Sequence, residues 1–298
     1  MKYHNPVLLT EAVNGLQIKK NGAYVDVTFG GGGHSREILR QLGPEGKLFG
    51  FDQDPDALKN NIDDERFTLI NENFRFIKRF LRFHNIKKVD GILGDFGVSS
   101  HQFDVAERGF STRFDSKLDM RMNQKDNLSA YTVINEYDEK KLKMVLLNYG
   151  ELRNAPKIAA SIYSARKERP IATGEQLKQV LRPFLPVGRE HKILAQVYQA
   201  IRIEVNQELE ALKEFLLQTP ALLEKGGRLS LISYHSLEDR LVKRFIRSGL
   251  FAGEPEKDFF GNISVPFKKV GKLTVPTSEE IKGNNRARSA KLRIAEKI

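Results

Sequence analysis

Four short apolar runs in the first hundred residues each end in a small polar or acidic side chain. These terminal residues are Asp26, Asp52, Asn73 and Asp95. In an open α/β sheet, ligands bind just outside the carboxyl ends of the strands, where the strand order reverses. We therefore expect these side chains to line one ligand site.

A glycine-rich turn follows the first run, with the sequence Thr28-Phe29-Gly30-Gly31-Gly32-Gly33-His34. Glycine has no Cβ, so the backbone of such a turn can approach a ligand closely. Asp52 lies 20 residues after Gly32, the spacing at which a carboxylate accepts both hydroxyls of a ribose. The pattern predicts a ligand with an adenosine moiety.

The identity of that ligand depends on details of the turn. A G-x-G-x-x-G fingerprint needs glycine where the chain has Ser35 or Arg36, and there is no P-loop lysine. Asp26 is unfavourable beside a pyrophosphate but suits the ammonium group of methionine. The turn alone is weak evidence for a ligand, because a simple tight β–α connection is the alternative. Together with Asp52 and Asp95 it favours S-adenosylmethionine over a dinucleotide.

The surrounding pattern indicates how these residues are positioned. Up to Asp95, apolar runs alternate with helical patterns, as in a parallel sheet with crossover helices. Residues 97–116 are typical of an ordered loop, and residues 128–202 are helical in pattern throughout. An α/β pattern then resumes with a strand at 228–234 and two more around 263–267 and 290–294. We predict an α/β fold, a Rossmann-like doubly wound sheet with an inserted all-helical subdomain.

The composition excludes several chemistries. The chain has 298 residues, no cysteine and a net charge of +11. Without cysteine there is no disulfide, thiolate zinc site, iron–sulfur cluster or cysteine nucleophile to attack C6 of a pyrimidine. The histidines lack the i, i+4 spacing of a helical metal site, so no metal is predicted. The excess of positive charge favours a nucleic-acid partner, with an ordinary basic protein as the alternative.

No apolar run approaches the roughly 20 residues that a membrane span needs. The first residues show no apolar stretch after Lys2, so no signal peptide is expected. We expect a soluble, cytoplasmic protein that does not bind membranes.

Motifs spread along nearly the whole chain occur together, in this order, in a known family. They are His4-Asn5-Pro6-Val7-Leu8-Leu9, Gly32-Gly33-His34-Ser35, Asp90-Gly91-Ile92-Leu93, Gly97-Val98-Ser99-Ser100, Arg108-Gly109-Phe110-Ser111, Leu118-Asp119-Met120-Arg121-Met122, Tyr149-Gly150-Glu151, Arg202-Ile203-Glu204-Val205-Asn206, His235-Ser236-Leu237-Glu238-Asp239-Arg240 and Arg288-Ser289-Ala290-Lys291-Leu292-Arg293. The chain resembles the bacterial 16S ribosomal RNA cytosine-N(4) methyltransferases, the MraW/RsmH family.

The resemblance implies a class I S-adenosylmethionine-dependent methyltransferase core with an inserted helical domain. It also implies methylation of the exocyclic N4 amine of a cytosine in the 16S rRNA of the small ribosomal subunit. We expect a first part of the core at 1–110, a helical substrate-recognition subdomain at 111–202 and a second part of the core at 203–298. The cofactor contacts that the resemblance implies are Gly32, Gly33, His34, Asp52, Phe74, Asp95 and Gln102.

The chain departs from the family pattern at four places. Phe96 follows Asp95 where leucine is usual, Thr112 replaces an aromatic residue, and Tyr234 replaces phenylalanine. The stretch Lys192-Ile193-Leu194-Ala195-Gln196 stands where many members have Pro-Ala-Thr-Arg. None of these departures removes an implied cofactor contact, and the last falls in the helical insert.

Methyl transfer to a cytosine amine needs a group that accepts its N–H bonds, because the nitrogen lone pair is delocalised into the ring. We hypothesise that Asp95 positions the cofactor or accepts from the amine, with His235 as a second catalytic candidate. Tyr234 or His235, at the end of the fifth strand, could stack on a flipped base. The alternative for His235 is a helix-start residue beside its cap, Ser236.

Two basic groups are candidates for contacts with RNA phosphates. A solvated helix face is the alternative for the first group, which lies on the helix after the fifth strand. The groups are Arg240, Lys243, Arg244 and Arg247 on that helix, and Arg286, Arg288, Lys291 and Arg293 in the tail.

Two other functions remain as alternatives at this stage. One is a nicotinamide-dependent dehydrogenase, against which the glycine spacing argues. The other is an RNA-binding assembly factor that keeps a cofactor pocket without turnover. The sequence also leaves open whether the protein is a monomer or a homodimer.

Overall fold

The computed structural model of the chain describes residues 6–255, 259–261 and 263–298. Contacts divide the chain into two compact units, one made of Met1–Gly97 with Leu209–Ile298 and the other of Val98–Glu208. The first unit carries the sheet, and the second is helical. His4 and Asn5 of the first sequence motif lie outside the described residues.

One sheet forms the centre of the first unit. Its strands are β1 (Ala23–Asp26), β2 (Lys47–Phe51), β3 (Phe67–Ile70), β4 (Val89–Asp95), β5 (Leu223–Ser233), β6 (Phe267–Thr274) and β7 (Lys291–Lys297). They lie in the order β3-β2-β1-β4-β5-β7-β6. The first five are mutually parallel, and β7 is antiparallel to both of its neighbours. The strand order therefore reverses between β1 and β4.

The helices of the sheet unit are α1 (Leu9–Gly15), α2 (Gly33–Gln41), α3 (Ile77–Phe83), α10 (Glu208–Leu222), α11 (Ser236–Ser248) and α12 (Ser278–Gly283). Those of the helical unit are α4 (Ser100–Asp104), α5 (Ala130–Glu136), α6 (Glu139–Asn148), α7 (Ala155–Glu168), α8 (Gly174–Leu181) and α9 (Glu190–Asn206). Throughout the described part of the chain, no helix has both the length and the apolar character needed to cross a bilayer.

Helices cover both faces of the sheet. Successive side chains of a strand point to opposite faces, so Val25 and Tyr24 of β1 enter different apolar clusters. Val25 lies in the cluster that includes Phe215 of α10 and Phe245 of α11. Tyr24 lies in the cluster that includes Ile38 of α2. This arrangement confirms the predicted Rossmann-like doubly wound fold of a class I methyltransferase with a helical insert.

The last two strands lie further along the chain than the sequence pattern predicts. Strands were expected around 263–267 and 290–294, whereas β6 and β7 cover Phe267–Thr274 and Lys291–Lys297. Strand β6 is at the edge of the sheet and carries Lys268, Lys269 and Lys272, all exposed. Lysine is common on edge strands because it opposes pairing with other chains, so β6 lacks the apolar alternation that marks a strand.

The segment expected to be an ordered loop contains a short helix, α4, with a capping box. The Ser99 Oγ accepts the backbone N–H of Gln102 at 3.2 Å, and Gln102 Oε1 accepts the N–H of Ser99 at 3.1 Å. A second capping box, formed by Thr173 and Gln176, lies at the start of α8. Paired side chains of this kind satisfy N–H groups that a helix start leaves free.

Asn206, at the end of α9, joins distant segments of the helical unit. Its Oδ1 accepts the N–H of Met122 at 2.7 Å, and its Nδ2 donates to the carbonyls of Met120 and Arg202 at 2.8 and 2.9 Å. The side chain is buried, and Met120 has a left-handed backbone with φ of 58°. Two of the motifs found in the sequence therefore meet through one buried amide.

Replacing this amide tests its structural importance. We expect Asn206→Ala to lower the free energy of unfolding by about 3 kcal/mol, because it leaves buried backbone groups without partners. Urea unfolding of the full chain measures the change. The exposed Lys140→Ala in α6 is the control, with an expected change within about 0.5 kcal/mol. Equal stability of the two variants would contradict this role of Asn206.

Candidate active site

The glycine turn leaves β1 at the reversal of strand order and leads directly into α2. Gly30 and Gly32 have φ of 51° and 75°, values that glycine adopts without strain. The N–H of Gly32 donates to the carbonyl of Phe29 at 2.7 Å. A Cβ added to Gly33 would lie 2.1 Å from Cγ of Pro6, so no larger residue fits there. The conformation of this turn therefore depends on its glycines, and Pro6 packs directly against its last glycine, at the start of α2.

Asp52 holds the turn from the neighbouring strand. Its Oδ2 accepts the N–H of Gly30 at 2.8 Å, and its Oδ1 accepts the N–H of Asp54 at 2.9 Å. A carboxylate has about four lone-pair sites, so each oxygen can accept a further hydrogen bond. The side chain is partly exposed, and among the described residues only Thr28 O comes within 4 Å of a Cβ added to Gly30. The position fits the expected contact with ribose hydroxyls, which stays a prediction.

Asp26 anchors the same turn from inside the protein. Its Oδ2 accepts the hydroxyl of Ser35 at 2.7 Å, and its Oδ1 accepts the N–H of Thr28 at 3.1 Å. The residue is 0% exposed, and this burial raises the pKa of its carboxyl group. Full burial leaves no surface for the ligand ammonium group that the sequence suggested. We therefore assign Asp26 to holding the turn.

Asp95 ends β4 beside the glycine turn and is joined to both neighbouring strands. Its N–H donates to Oγ1 of Thr28 at 2.6 Å, and its Oδ1 accepts the hydroxyl of Tyr234 at 2.8 Å. Tyr234 follows β5 directly, and Gly97, with φ of 111°, would place a Cβ 3.4 Å from the Tyr234 ring. The structure therefore brings two of the predicted site residues into direct contact.

The electrostatic surroundings of Asp95 change its acidity. Burial raises the pKa of Asp95 to about 6, while His34 and the hydroxyl of Tyr234 oppose the increase. Burial also raises the pKa of Tyr234 well above its ordinary value, and the charge of Asp95 adds to this effect. Near neutral pH the pair consists of an ionised carboxylate and a protonated phenol. The phenol is therefore a hydrogen-bond donor to the carboxylate.

His34 follows Gly32 and Gly33 in the sequence, and all three are implied cofactor contacts. It is buried, and its Nε2 lies 3.1 Å from the carbonyl of Val7. A carbonyl only accepts, so this contact assigns the proton of a neutral ring to Nε2. His34 thus connects the start of α2 to the segment before α1.

His235 is itself the cap of α11, so the prediction of Ser236 as the cap is wrong. The Nδ1 of His235 accepts the N–H of Glu238 at 3.4 Å, and Glu238 Oε2 accepts the N–H groups of Tyr234 and His235 at 2.9 and 3.4 Å. Ser236 is the first residue of the helix. This bonding gives His235 a structural role, and its proposed catalytic role stays a prediction.

The remaining implied cofactor contacts lie in different settings. Phe74 follows β3, and its ring centroid lies 5.8 Å from that of Phe96 and 5.5 Å from that of Phe215. Asn73, just before it, donates to Gln53 Oε1 at 2.7 Å. Gln102 is buried in the helical unit, in the capping box of α4. Their contacts with the cofactor stay predictions.

A sequence profile of the MraW methylase family matches residues 1–298, which is the whole chain. The chain belongs to this family. It is 72% identical to ribosomal RNA small subunit methyltransferase H of Christiangramia forsetii and 70% identical to that of Flavobacterium johnsoniae. Each alignment covers 100% of this chain and 99% of the relative.

More distant similarity extends to solved structures. An rRNA methylase from Streptococcus thermophilus is 12% identical, with a TM-score of 0.42 over 100% of this chain and 99% of that one. Aeropyrum pernix fibrillarin with bound S-adenosyl-L-methionine is 10% identical, with a TM-score of 0.37 over 96% and 73%. These likenesses are too distant to carry function.

Two of the predicted phosphate contacts in the tail already have an acidic partner. Arg293 binds Asp239 through Nε at 2.7 Å, and Lys291 Nζ lies 3.3 Å from the same carboxylate. These pairs connect β7 to α11. Arg288, by contrast, is exposed. RNA binding by Lys291 and Arg293 stays a prediction. In that prediction, an RNA phosphate competes with the Asp239 carboxylate for these two cations.

The basic group on α11 is distributed over the outer side of that helix. Arg240, Lys243 and Arg247 are exposed, and Arg244 donates to the carbonyl of Gly253. Val242 and Phe245 occupy the buried side. RNA binding by Arg240 and Arg244 stays a prediction.

Sequence reasoning missed three side chains that organise this site. Thr28 links the ends of β1 and β4, Ser35 links α2 to Asp26, and Glu238 holds the backbone beside Tyr234. Only Glu238 has a clear sequence signal, because an acidic residue three positions after a helix cap is typical of a capping box. The hydroxyl contacts depend on long-range geometry.

The role of Asp52 can be tested through ligand affinity. We expect Asp52→Ala to weaken binding of S-adenosylhomocysteine about 100-fold, because the turn loses its anchor and the ribose loses its acceptors. Asp52→Asn, which keeps one acceptor oxygen, should lose about tenfold. Isothermal titration measures both affinities, with the exposed Asp63→Ala as the control. Unchanged affinity of Asp52→Ala would contradict the assignment.

The hydrogen bond between Tyr234 and Asp95 can be tested through the pH dependence of activity. The bond lowers the pKa of Asp95, so Tyr234→Phe should raise that pKa above about 6. If ionised Asp95 is required, kcat/KM falls as the pH decreases through this pKa, and the acidic limb moves to higher pH in the variant. Methyl-transfer rates across this range measure the shift, with Tyr131→Phe as the control. An acidic limb at the same pH in both enzymes would show that Asp95 does not set it.

Proposed function

We propose that this chain transfers a methyl group from S-adenosylmethionine to the exocyclic N4 amine of a cytosine in the 16S rRNA of the small ribosomal subunit. Membership of the MraW methylase family supports a methyltransferase. The names of the relatives support small-subunit ribosomal RNA as the substrate. The observation that carries the choice of an amine is the Asp95–Tyr234 pair at the ends of β4 and β5.

The glycine turn and Asp52 are the residues that would hold the cofactor. The backbone of Gly30 is open on one side, and Asp52 beside it has acceptor capacity in a partly exposed carboxylate. These features fit an adenosine ligand. When bound, S-adenosylmethionine supplies a methyl group activated by a positively charged sulfur. The chain itself supplies alignment, which accounts for much of the rate of a displacement reaction.

Asp95 would receive the acceptor amine. Its Oδ1 is occupied by the hydroxyl of Tyr234, while Oδ2 accepts no hydrogen bond from any residue that the structure describes. With a pKa of about 6, the carboxylate is mostly ionised at neutral pH and can accept an N–H bond from cytosine. That bond holds the base and localises electron density on the nitrogen. Tyr234 orients the carboxylate from the other side.

The composition favours an amine over a ring carbon as the methyl acceptor. The chain has no cysteine, so it cannot form the covalent cysteine adduct at C6 that activates C5 of a pyrimidine. The net charge of +11 suits a polyanionic substrate. In this proposal, the helical unit recognises the RNA around the target cytosine.

The product of the reaction tests the proposal. Labelled S-adenosylmethionine is supplied with small ribosomal subunits, naked 16S rRNA or ribosomal proteins, and the labelled nucleoside is identified by mass spectrometry. We expect N4-methylcytidine at one position of the 16S rRNA. Label in protein alone, or 5-methylcytidine as the product, would refute the proposed substrate, and the absence of transfer would favour a non-catalytic assembly factor.

Asp95 variants separate the chemistry from cofactor binding. We expect Asp95→Asn to lower kcat at least about 100-fold, as losses of a positioned proton acceptor commonly do. Affinity for S-adenosylhomocysteine should stay within about threefold of the wild-type value, less than the loss of one hydrogen bond would cause. Near-normal turnover with intact binding would contradict the role of Asp95.

A further inference from the structure

The segment between α8 and α9 exposes positive charge on the helical unit. Arg182, Arg189 and Lys192 lie within eleven residues of one another, and all three are exposed. Glu190 is the only acidic residue of this segment, Arg182–Lys192, which we call the basic segment. Its carboxylate Oε2 accepts the N–H of Gly188 at 3.0 Å.

The three cations have no acidic partner among the described residues. Some other exposed cations of the helical unit are paired: Arg113 lies 3.1 Å from Asp104, and Lys178 lies 3.5 Å from Glu175. A paired cation must give up its partner before it binds another anion. The charges of the basic segment are available without that cost.

The basic segment is ordered rather than an open chain. Pro186 and Arg189 close a β-turn, with a hydrogen bond of 2.9 Å from the N–H of Arg189 to the carbonyl of Pro186. Gly188 has φ of 78°, which is the glycine position of a type II turn. Phe184 and Leu185 pack against the apolar core of the unit. The cations are therefore attached to a fixed backbone, which reduces the entropy lost when they bind.

The basic segment leads into the start of α9, and a helix start is a further source of positive potential. Arg189 occupies the N-cap position of α9, a helix of 17 residues, and Lys192 lies in its first turn. Backbone N–H groups at a helix start carry partial positive charge that favours anions. The stretch that departs from the family pattern begins at Lys192, which is exposed, while Leu194 within it is buried. Lys192 thus places its charge at the surface.

We propose that the basic segment binds the phosphate backbone of the substrate rRNA. This inference rests on the proposed function, since it takes the substrate to be RNA. Clustered cations that neutralise phosphates release condensed counterions, so their contribution appears in the salt dependence of binding. Contacts with phosphates carry no base sequence. The segment therefore positions the RNA, and selection of the cytosine belongs to the methyl-transfer site.

The test compares two matched double variants of the full chain. Arg189→Gln/Lys192→Gln removes one arginine and one lysine from the basic segment, and Arg113→Gln/Lys178→Gln removes one of each from paired positions of the same unit. The affinity for naked 16S rRNA is measured at several KCl concentrations, together with KM and kcat. The slope of log K against log salt should become shallower by about 1.5 in the first variant and keep its wild-type value in the second.

The first variant should also raise KM for RNA about tenfold while kcat keeps its wild-type value. A smaller folded fraction would reduce the amount of active protein without changing the salt slope, so the slope separates binding from folding. An unchanged slope in this variant would overturn the inference, as would an equal change in the control. Normal binding to naked rRNA with weakened binding to small subunits would also overturn it, because the contact would then be with ribosomal protein.

The same experiments distinguish a failure of this inference from a failure of the proposed function. Wild-type methyl transfer to rRNA combined with an unchanged slope in Arg189→Gln/Lys192→Gln overturns only the role of the basic segment. If the wild-type chain neither binds nor methylates rRNA, the proposed function fails and the inference fails with it.

Discussion

Three carboxylates held at one edge of the sheet are the constraint on which the site depends. Asp26 and Asp95 end β1 and β4, between which the strand order reverses, and Asp52 follows β2. Each accepts hydrogen bonds from its neighbours. Burial raises the pKa of Asp52 and Asp95 to about 6, above the ordinary value of 3.8, and the nearby charge of Asp26 adds to both increases. Because the folded-state pKa is raised, the stability from these two groups decreases as the pH rises through about 6.

This accumulation of negative charge helps to determine which ligand is suitable. A pyrophosphate would add like charge to a site whose carboxylates already repel one another. A ligand with a sulfonium and an ammonium group offsets that charge, so binding would relieve part of the cost of holding the carboxylates ionised. Tyr234 also gives Asp95 a partner for its Oδ1, and in the proposed function Oδ2 would accept the N–H bond of the acceptor amine. In the proposed function, cofactor preference and amine activation would therefore have a common electrostatic origin.

Much of the sheet unit could be predicted from the sequence because its signals are local. Apolar runs ending in acidic residues, together with the glycine turn, indicate parallel strands and a ligand site at their carboxyl ends. The contact between Asp95 and Tyr234 joins residues 139 positions apart, and no local pattern contains it. The edge strand β6 was misplaced because lysine, rather than apolar alternation, suits its exposed position.

Prediction of the α11 cap failed for a related reason. Ser236 is the more common capping residue type, but the Nδ1 of His235 occupies the cap because Glu238 binds the backbone on the same side. In the helical unit, family motifs far apart in sequence turned out to be joined by Asn206. Motif resemblance shows that such residues matter, whereas the structure shows that some of them hold the fold rather than contact a ligand.

In the proposed function, the carboxylate-lined edge binds S-adenosylmethionine, with Asp52 on the ribose and Asp95 facing the transferred methyl group. A crystal structure of the full chain with S-adenosylhomocysteine tests it most directly. We expect the ribose hydroxyls within hydrogen-bond distance of Asp52, the adenosine beside Gly30, and the sulfur on the side of Asp95 Oδ2. A ligand bound elsewhere, or one whose ribose contacts no oxygen of Asp52, would contradict it.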